Sequence, residues 1–284
     1  MLTEVKKLEV KELYPVPKRD SHKGQNGKIM IVGGSLDYYG APILSAMGAL
    51  FGGADLVTLY VPECNFTISR TYYPDFIVKK FTGDYLDARS VELISMATAK
   101  QKCLVIGPGI GERKETMAAV NAIIKKSKCP VVLDAQAIYA LPTKNVRENS
   151  NILITPHAQE LSNLCSHGVP SLLIEKVETV KKCAKDMNVN ILLKNPIDII
   201  ASPKGEFCIN QAGNPGLTSG GTGDVLSGFV GSLTSRGLRL YDAARLGAFI
   251  ICTAGDELLH EKGHAFTATD LALHLPYTIK RLLA

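Results

Sequence analysis

Between Asn214 and Leu233 the chain reads NPGLTSGGTGDVLSGFVGSL, and the lone acid in its middle has the right neighbours for phosphoryl chemistry. Gly220, Gly221 and Gly223 surround Thr222 and stand directly before Asp224, where an apolar helical pattern begins. Glycine is entropically costly to order, so a cluster implies that something must approach the backbone closely. A helix N-terminus offers unpaired N–H groups and a partial positive charge, and both suit phosphate oxygens. Asp224, in the first turn, is then placed to take a proton from a hydroxyl as that oxygen attacks phosphorus. Charge stabilisation by the cradle completes the scheme. A plain helix cap would also use an acid at this position, but it would not need three neighbouring glycines.

Two further segments carry candidate groups. In TPHAQEL, residues 155 to 161, Pro156 biases Thr155 towards extended geometry and ends a strand. His157 then projects from a loop towards substrate, and Glu160 from a first helical turn, near a phosphate-bound magnesium ion. Lys194 ends the run NILLK and is placed to meet phosphate. The plainer alternatives are a capped helix and a solvated charge.

Other motifs fail on spacing. GxxxxGK[ST] does not occur, because Gly24 to Lys28 has the wrong interval and is followed by Ile29. GPGIG, 107 to 111, lacks the GxGxxG spacing of a dinucleotide fingerprint. HEKGH, 260 to 264, has the zinc-protease pattern, but Gly263 favours helix termination before the second histidine. No Glu follows residue 261, and Asp270 is better explained as a cap, so zinc hydrolysis is not expected. The sequon at 65 to 67 means nothing without a secretion signal.

The elements that must position these groups alternate along the chain. Apolar, β-branched runs fall at 28–34, 54–62, 103–109, 130–135, 151–157 and 190–194. Stretches with helical spacing lie between most of them, such as APILSAMGALFGG, TMAAVNAIIKKSK and IEKVETVKKCAKDM. Strands apolar throughout, alternating with helices, indicate a mainly parallel sheet covered on both faces. After 194 the pattern predicts a hairpin turning at Pro203-Lys204-Gly205, then helices over roughly 222–236, 241–260 and 268–283. Thr267 and Asp270 form a capping box for the last of these. Ligands of such sheets bind beyond the carboxyl ends of the strands. The strand-end segments GGSLDYYGA, GPGIG, DAQA, TPHAQE and KNPID are accordingly expected to face one crevice. With no repeat and no linker, residues 1–284 read as one domain.

Composition narrows the class. Apolar residues make up 46% and the formal charge is only +5, so a packed core is expected and nucleic acid is not. The start of the chain lacks a signal peptide's apolar run, and no segment is apolar enough to span a membrane. Seven scattered cysteines without C-x-x-C spacing suit a reducing, cytoplasmic setting, with cysteine as a small core residue.

Taken together, HKGQNGKIMIVGGSLDYYGAPILSAMGAL, LVIGPGIG, ILITPHAQEL and NPGLTSGGTGDVLSG resemble the NAD(P)H-hydrate dehydratase family, over about residues 20 to 284. The resemblance implies an α/β, ribokinase-like three-layer sandwich with a mainly parallel central sheet. It implies ADP- or ATP-dependent dehydration of hydrated NAD(P)H with Mg2+, by phosphorylation of the hydrate and loss of phosphate. By the same resemblance Ala41, Gly109, His157 and Asp224 contact the hydrated cofactor. Lys194, Asn195, Pro196, Ile197, Asp198 and Gly223 contact the adenine nucleotide, as do Asn214, Gly220, Gly221 and Thr222. A homo-oligomer, often a tetramer, is implied as well, and only the dehydratase half of fused relatives is represented. Two positions depart from the family's habit: Gln136 in DAQAI, and KNPID in place of Lys-Gly followed by Thr. The alternatives are a sugar or hydroxymethyl kinase of the same superfamily, whose phosphorylated product would persist, and a nucleotide sensor without turnover.

Overall fold

The computed structural model describes residues 3–141, 151–165 and 168–284. Nine strands form one sheet: β1 (Lys28–Val32), β2 (Leu56–Pro62), β3 (Phe76–Phe81), β4 (Cys103–Ile106), β5 (Val131–Leu133), β6 (Ile152–Ile154), β7 (Asn190–Leu193), β8 (Asp198–Ala201) and β9 (Phe207–Asn210). The order is β3-β2-β1-β4-β5-β6-β7-β8-β9, parallel as far as β7 and antiparallel through β8 and β9. Ten α-helices are α1 (Lys7–Leu13), α2 (Gly40–Phe51), α3 (Phe66–Tyr72), α4 (Ala88–Thr98), α5 (Lys114–Lys126), α6 (Ala158–Cys165), α7 (Leu173–Met187), α8 (Thr222–Ser235), α9 (Leu240–Lys262) and α10 (Ala268–Leu283).

The sheet is buried on both sides because its strands are apolar on both sides. In β1, Ile29 and Ile31 face one apolar layer while Met30 and Val32 face the other; Cys103 and Val105 against Leu104 and Ile106 repeat this in β4. The first layer packs α2, α8, α9 and α10 on the sheet, and the second packs α4, α5, α6 and α7. In the first, helix backbones touch. A Cβ on Gly48 of α2 would lie 2.1 Å from the Val225 carbonyl oxygen, and one on Gly228 of α8 would lie 1.8 Å from that of Ser45. Only glycine permits this contact.

The expected hairpin forms between β8 and β9, with Gly205 at φ +90 and the Ser202 amide donating to the Glu206 carbonyl. The last three helices fall within two residues of their expected ends, and the Thr267–Asp270 capping box is present. Helix α9 stops at Lys262 and Gly263 turns to φ +66, so His260 and His264 do not share a helical face.

Strand β3 was not anticipated. It is an edge strand in which Ile77 is 42% exposed, so its apolar character is broken by Lys79 and Lys80. The cysteines also differ from expectation. Cys103, Cys129, Cys208 and Cys252 are buried thiols and Cys64 is an exposed one, but Cys165 and Cys183 form a disulfide. They lie 18 residues apart, and the packing of α6 beside α7 brings their Cα atoms to 6.3 Å. Among the described residues no helix is long and apolar enough to cross a membrane.

Candidate active site

Three neighbouring strand ends converge on one ammonium group. Asp134 follows β5, Thr155 follows β6 and Lys194 follows β7. One Asp134 carboxylate oxygen accepts from the Thr155 hydroxyl at 2.7 Å and from Lys194 Nζ at 2.9 Å. The Lys194 amide donates to the Pro156 carbonyl at 2.8 Å, which ties its backbone to the TPHAQEL segment and pairs it with His157. There the His157 amide donates to Glu160 at 2.8 Å, and the Glu160 amide donates back to His157 Nδ1 at 3.3 Å. Glu160 is thus buried at the start of α6 while the His157 ring stays exposed.

The opposite wall is the N-terminus of α8. Gly221 caps it at φ +94, and a Cβ there would lie 2.4 Å from Leu44 of α2. The Thr222 hydroxyl donates to the Leu217 and Ser219 carbonyls, so it ties the loop together. The first intrahelical bond runs from the Val225 amide to the Gly221 carbonyl, so the Gly223 and Asp224 amides precede the helical ladder. Gly220 has no packing reason to be glycine, since a Cβ there would meet nothing within 4 Å. A Cβ on Gly223 would stand 3.3 Å from Lys194 Nζ. The ammonium therefore bridges the sheet and the glycine turn.

Electrostatics single out Asp224. Burial, and then the Asp134 carboxylate nearby, push its pKa up to about 8 against a partial lowering by Lys194. Burial alone would lower the pKa of Lys194, but Asp134, Glu160 and Asp224 outweigh it and hold the value above the usual range. With Asp224 holding its proton, Asp134 and Glu160 set against one ammonium still leave the site with surplus negative charge.

Beside this centre lies a cavity of about 650 Å³. His157, Lys194, Asn195, Pro196, Asp198, Asn214, Thr222 and Gly223 line it, with Leu217, Leu226 and Ile251 supplying an apolar floor. Asn214 caps the turn before α8 by accepting from the Gly216 amide, and its side-chain amide donates to Asp256 at 2.9 Å. Asp198 accepts from the Asn195 amide and the Asn210 side chain, and burial raises its pKa. Ile197 does not line the cavity; its side chain packs into the second apolar layer.

Ala41 and Gly109 lie apart from this cavity but next to each other. A Cβ on Gly109 would be 3.1 Å from that of Ala41. They mark the place where the loops after β1 and β4 part, the topological switch point of the sheet. Ala41 is about one helical turn before Leu44, which packs on Gly221, so α2 links the switch point to the glycine turn. Gln136 follows β5 and donates to Glu112. Sequence reasoning missed Asp134, Asp256 and Ile251. Asp134 stood inside the quoted DAQA segment, at the end of an apolar strand, and its position there was the available signal. The α9 residues carry none, because a helix buried over most of its length does not reveal which turn faces a ligand.

A mainly parallel sheet between two helical layers, with a glycine turn opening a helix at its carboxyl edge, defines a ribokinase-like α/β sandwich. Residues 29–277 match the family model for NAD(P)H-hydrate dehydratase, and the chain belongs to that family. The bifunctional NAD(P)H-hydrate repair enzyme of Methanocaldococcus jannaschii is 37% identical over 271 residues, covering 95% of this chain and 52% of that protein. The chain thus spans about half the length of the bifunctional relatives it matches. The ADP-dependent (S)-NAD(P)H-hydrate dehydratase of Cenarchaeum symbiosum is 33% identical over 275 residues, covering 96% of this chain and 95% of that one. The Bacillus subtilis ADP/ATP-dependent NAD(P)H-hydrate dehydratase, co-crystallised with ATP and Mg2+, superposes with a TM-score of 0.86 at 25% identity, over 99% of both chains.

Proposed function

We propose that this chain dehydrates the hydrate of NADH or NADPH, using ADP or ATP as phosphate donor. The observation that carries the reading is Asp224, a carboxylate of raised proton affinity in the first turn of α8, beside Lys194 and next to a cavity that suits an adenine nucleotide. The nucleotide enters that cavity along Lys194, Asn195, Pro196, Asp198 and Asn214, with its last phosphate on the Gly220–Gly223 turn and the Lys194 ammonium. The reduced, hydrated ring lies on the Ala41 and Gly109 side, with His157 at its edge.

Asp224 takes the proton of the ring hydroxyl, that oxygen bonds to the terminal phosphorus, and the bond from phosphorus to the nucleotide breaks. The amides that precede the helical ladder stabilise the equatorial oxygens. The ring nitrogen's lone pair then expels the carbon-bound oxygen as inorganic phosphate. Loss of a proton from the adjacent ring carbon completes the double bond. Hydroxide is a poor leaving group and phosphate a good one, which is why a nucleotide is consumed in a net dehydration.

The surplus negative charge around Lys194 fits a divalent cation, which prefers one or two carboxylates together with nucleotide phosphates. Glu160 would hold magnesium there, and the ion would neutralise charge building on the phosphate. Assembly as a homo-oligomer belongs to the same proposal and is read by light scattering.

Incubating the hydrates with ADP or ATP and Mg2+ tests the reading. Reduced-cofactor absorbance should appear with one phosphate released per turnover. Stable phosphorylated product without that absorbance would instead indicate the kinase.

A further inference from the structure

The proposed mechanism gives no task to Asp134, a tightly held carboxylate in the site. Its side chain is buried, and four separate features aim it. Gly107, at φ +133, lets the loop after β4 pass so close that a Cβ would stand 1.9 Å from the Asp134 carbonyl oxygen. The next residue, Ala135, sits at φ +49, a left-handed conformation that residues with a Cβ enter at a cost. The Thr155 hydroxyl and the Lys194 ammonium both bond to the same carboxylate oxygen. Strain of this kind persists where the surroundings fix a functional geometry.

The target of that geometry is Lys194. A lysine ammonium is a point charge on a flexible stem and does not orient itself. Held by Asp134 at 2.9 Å, it stands over Gly223 and faces the turn at the start of α8. We infer that Asp134 is a positioning residue for phosphoryl transfer, acting through the Lys194 ammonium on the nucleotide's phosphate and through space on Asp224. The inference rests on the reading that the glycine turn takes a phosphate. Among the described residues the charged groups acting on Asp224 are Asp134 and Lys194, with Glu160 also acting on Lys194. Removing the Asp134 charge lowers the proton affinity of Asp224.

Binding of ADP and ATP, each with magnesium, should be measured by calorimetry on the whole chain, with pH profiles of hydrate turnover beside it. Asp134→Asn should weaken nucleotide binding by about tenfold, the scale of a lost charge-assisted hydrogen bond. It should also move the rising limb of the profile about one unit lower, as removal of a neighbouring like charge does. In a Lys194→Ala background the same change should alter nucleotide affinity by less than about twofold, because coupled residues are not additive. Thr155→Val, which loosens Asp134 without removing it, should move affinity the same way by less. An unmoved limb with unchanged affinity, or a full binding effect that survives without Lys194, overturns the inference. If Asp134→Asn does not fold, unchanged affinity in Thr155→Val overturns it. A wild-type chain that binds nucleotide, shows these binding effects and never dehydrates the hydrates overturns only the dehydratase reading.

Discussion

Lys194 and Asp134 meet at 2.9 Å across two intervening strand junctions, although 60 residues separate them in the chain. Their ion pair joins the floor of the site to the glycine turn above it. The behaviour of Asp224, which this pair faces, yields the first predictions.

Asp224→Asn should cut turnover by two or more orders of magnitude, within the range of a lost general base, about 10²–10⁴-fold. Nucleotide affinity should stay within a few-fold of wild type, since the cradle and Lys194 remain. Steady-state rates and calorimetry check both. Near-normal turnover would remove Asp224 from the mechanism.

The same variant should not melt earlier at neutral pH. Asp224 holds its proton to about pH 8 in the fold against an ordinary value of 3.8, so in that window the unfolded chain binds fewer protons. Stability contributed by this group therefore falls as pH rises from 3.8 towards 8. Asparagine never ionises and escapes the loss. Thermal melts at pH 5 and pH 8 should show the wild type losing ground to the variant at the higher pH.

A base must be unprotonated to act, so kcat/KM, which reports the free enzyme, should climb with pH and level off above about 8. A flat profile from pH 6 to 9 would contradict the assignment.

The glycines of the turn should separate by substitution. Gly221→Ala is strained at φ +94 and collides with Leu44, so it should destabilise by about 1–3 kcal/mol in chemical denaturation. Gly220→Ala meets nothing within 4 Å and should leave stability within about 0.5 kcal/mol. Its methyl group would still stand where phosphate approaches, so nucleotide affinity should drop. Equal affinity in Gly220→Ala would place the phosphate elsewhere.

Reducing the Cys165–Cys183 bridge, or replacing Cys165 by Ser, should lower stability by up to about 3 kcal/mol, the expectation for a loop of this size. A melt unchanged by reductant would mean that the bridge contributes nothing.

How much of this was legible in advance depended on periodicity and burial. Strands such as β1 and β4, apolar on both faces, announce a covered parallel sheet, and the Thr267–Asp270 cap marks a helix start without help from tertiary contacts. Asp224 stood out as a candidate because a cluster of glycines beside it is costly to order. Edge strand β3 was hidden by its exposed lysines. Asp134 was hidden because its meaning lies in partners from two other strands, and no local pattern encodes which strand ends become neighbours. Ile197 shows the converse, that a segment can line a cavity while one of its side chains turns into the core.

The bare-backbone contact between α2 and α8 has a mechanical consequence. Ala41 and Asp224 ride on two helices locked backbone to backbone, so under the proposed function the ring and its base would keep a fixed spacing. Under the same proposal, any tightening around a nucleotide would fall to the segments carrying His157 and Lys194.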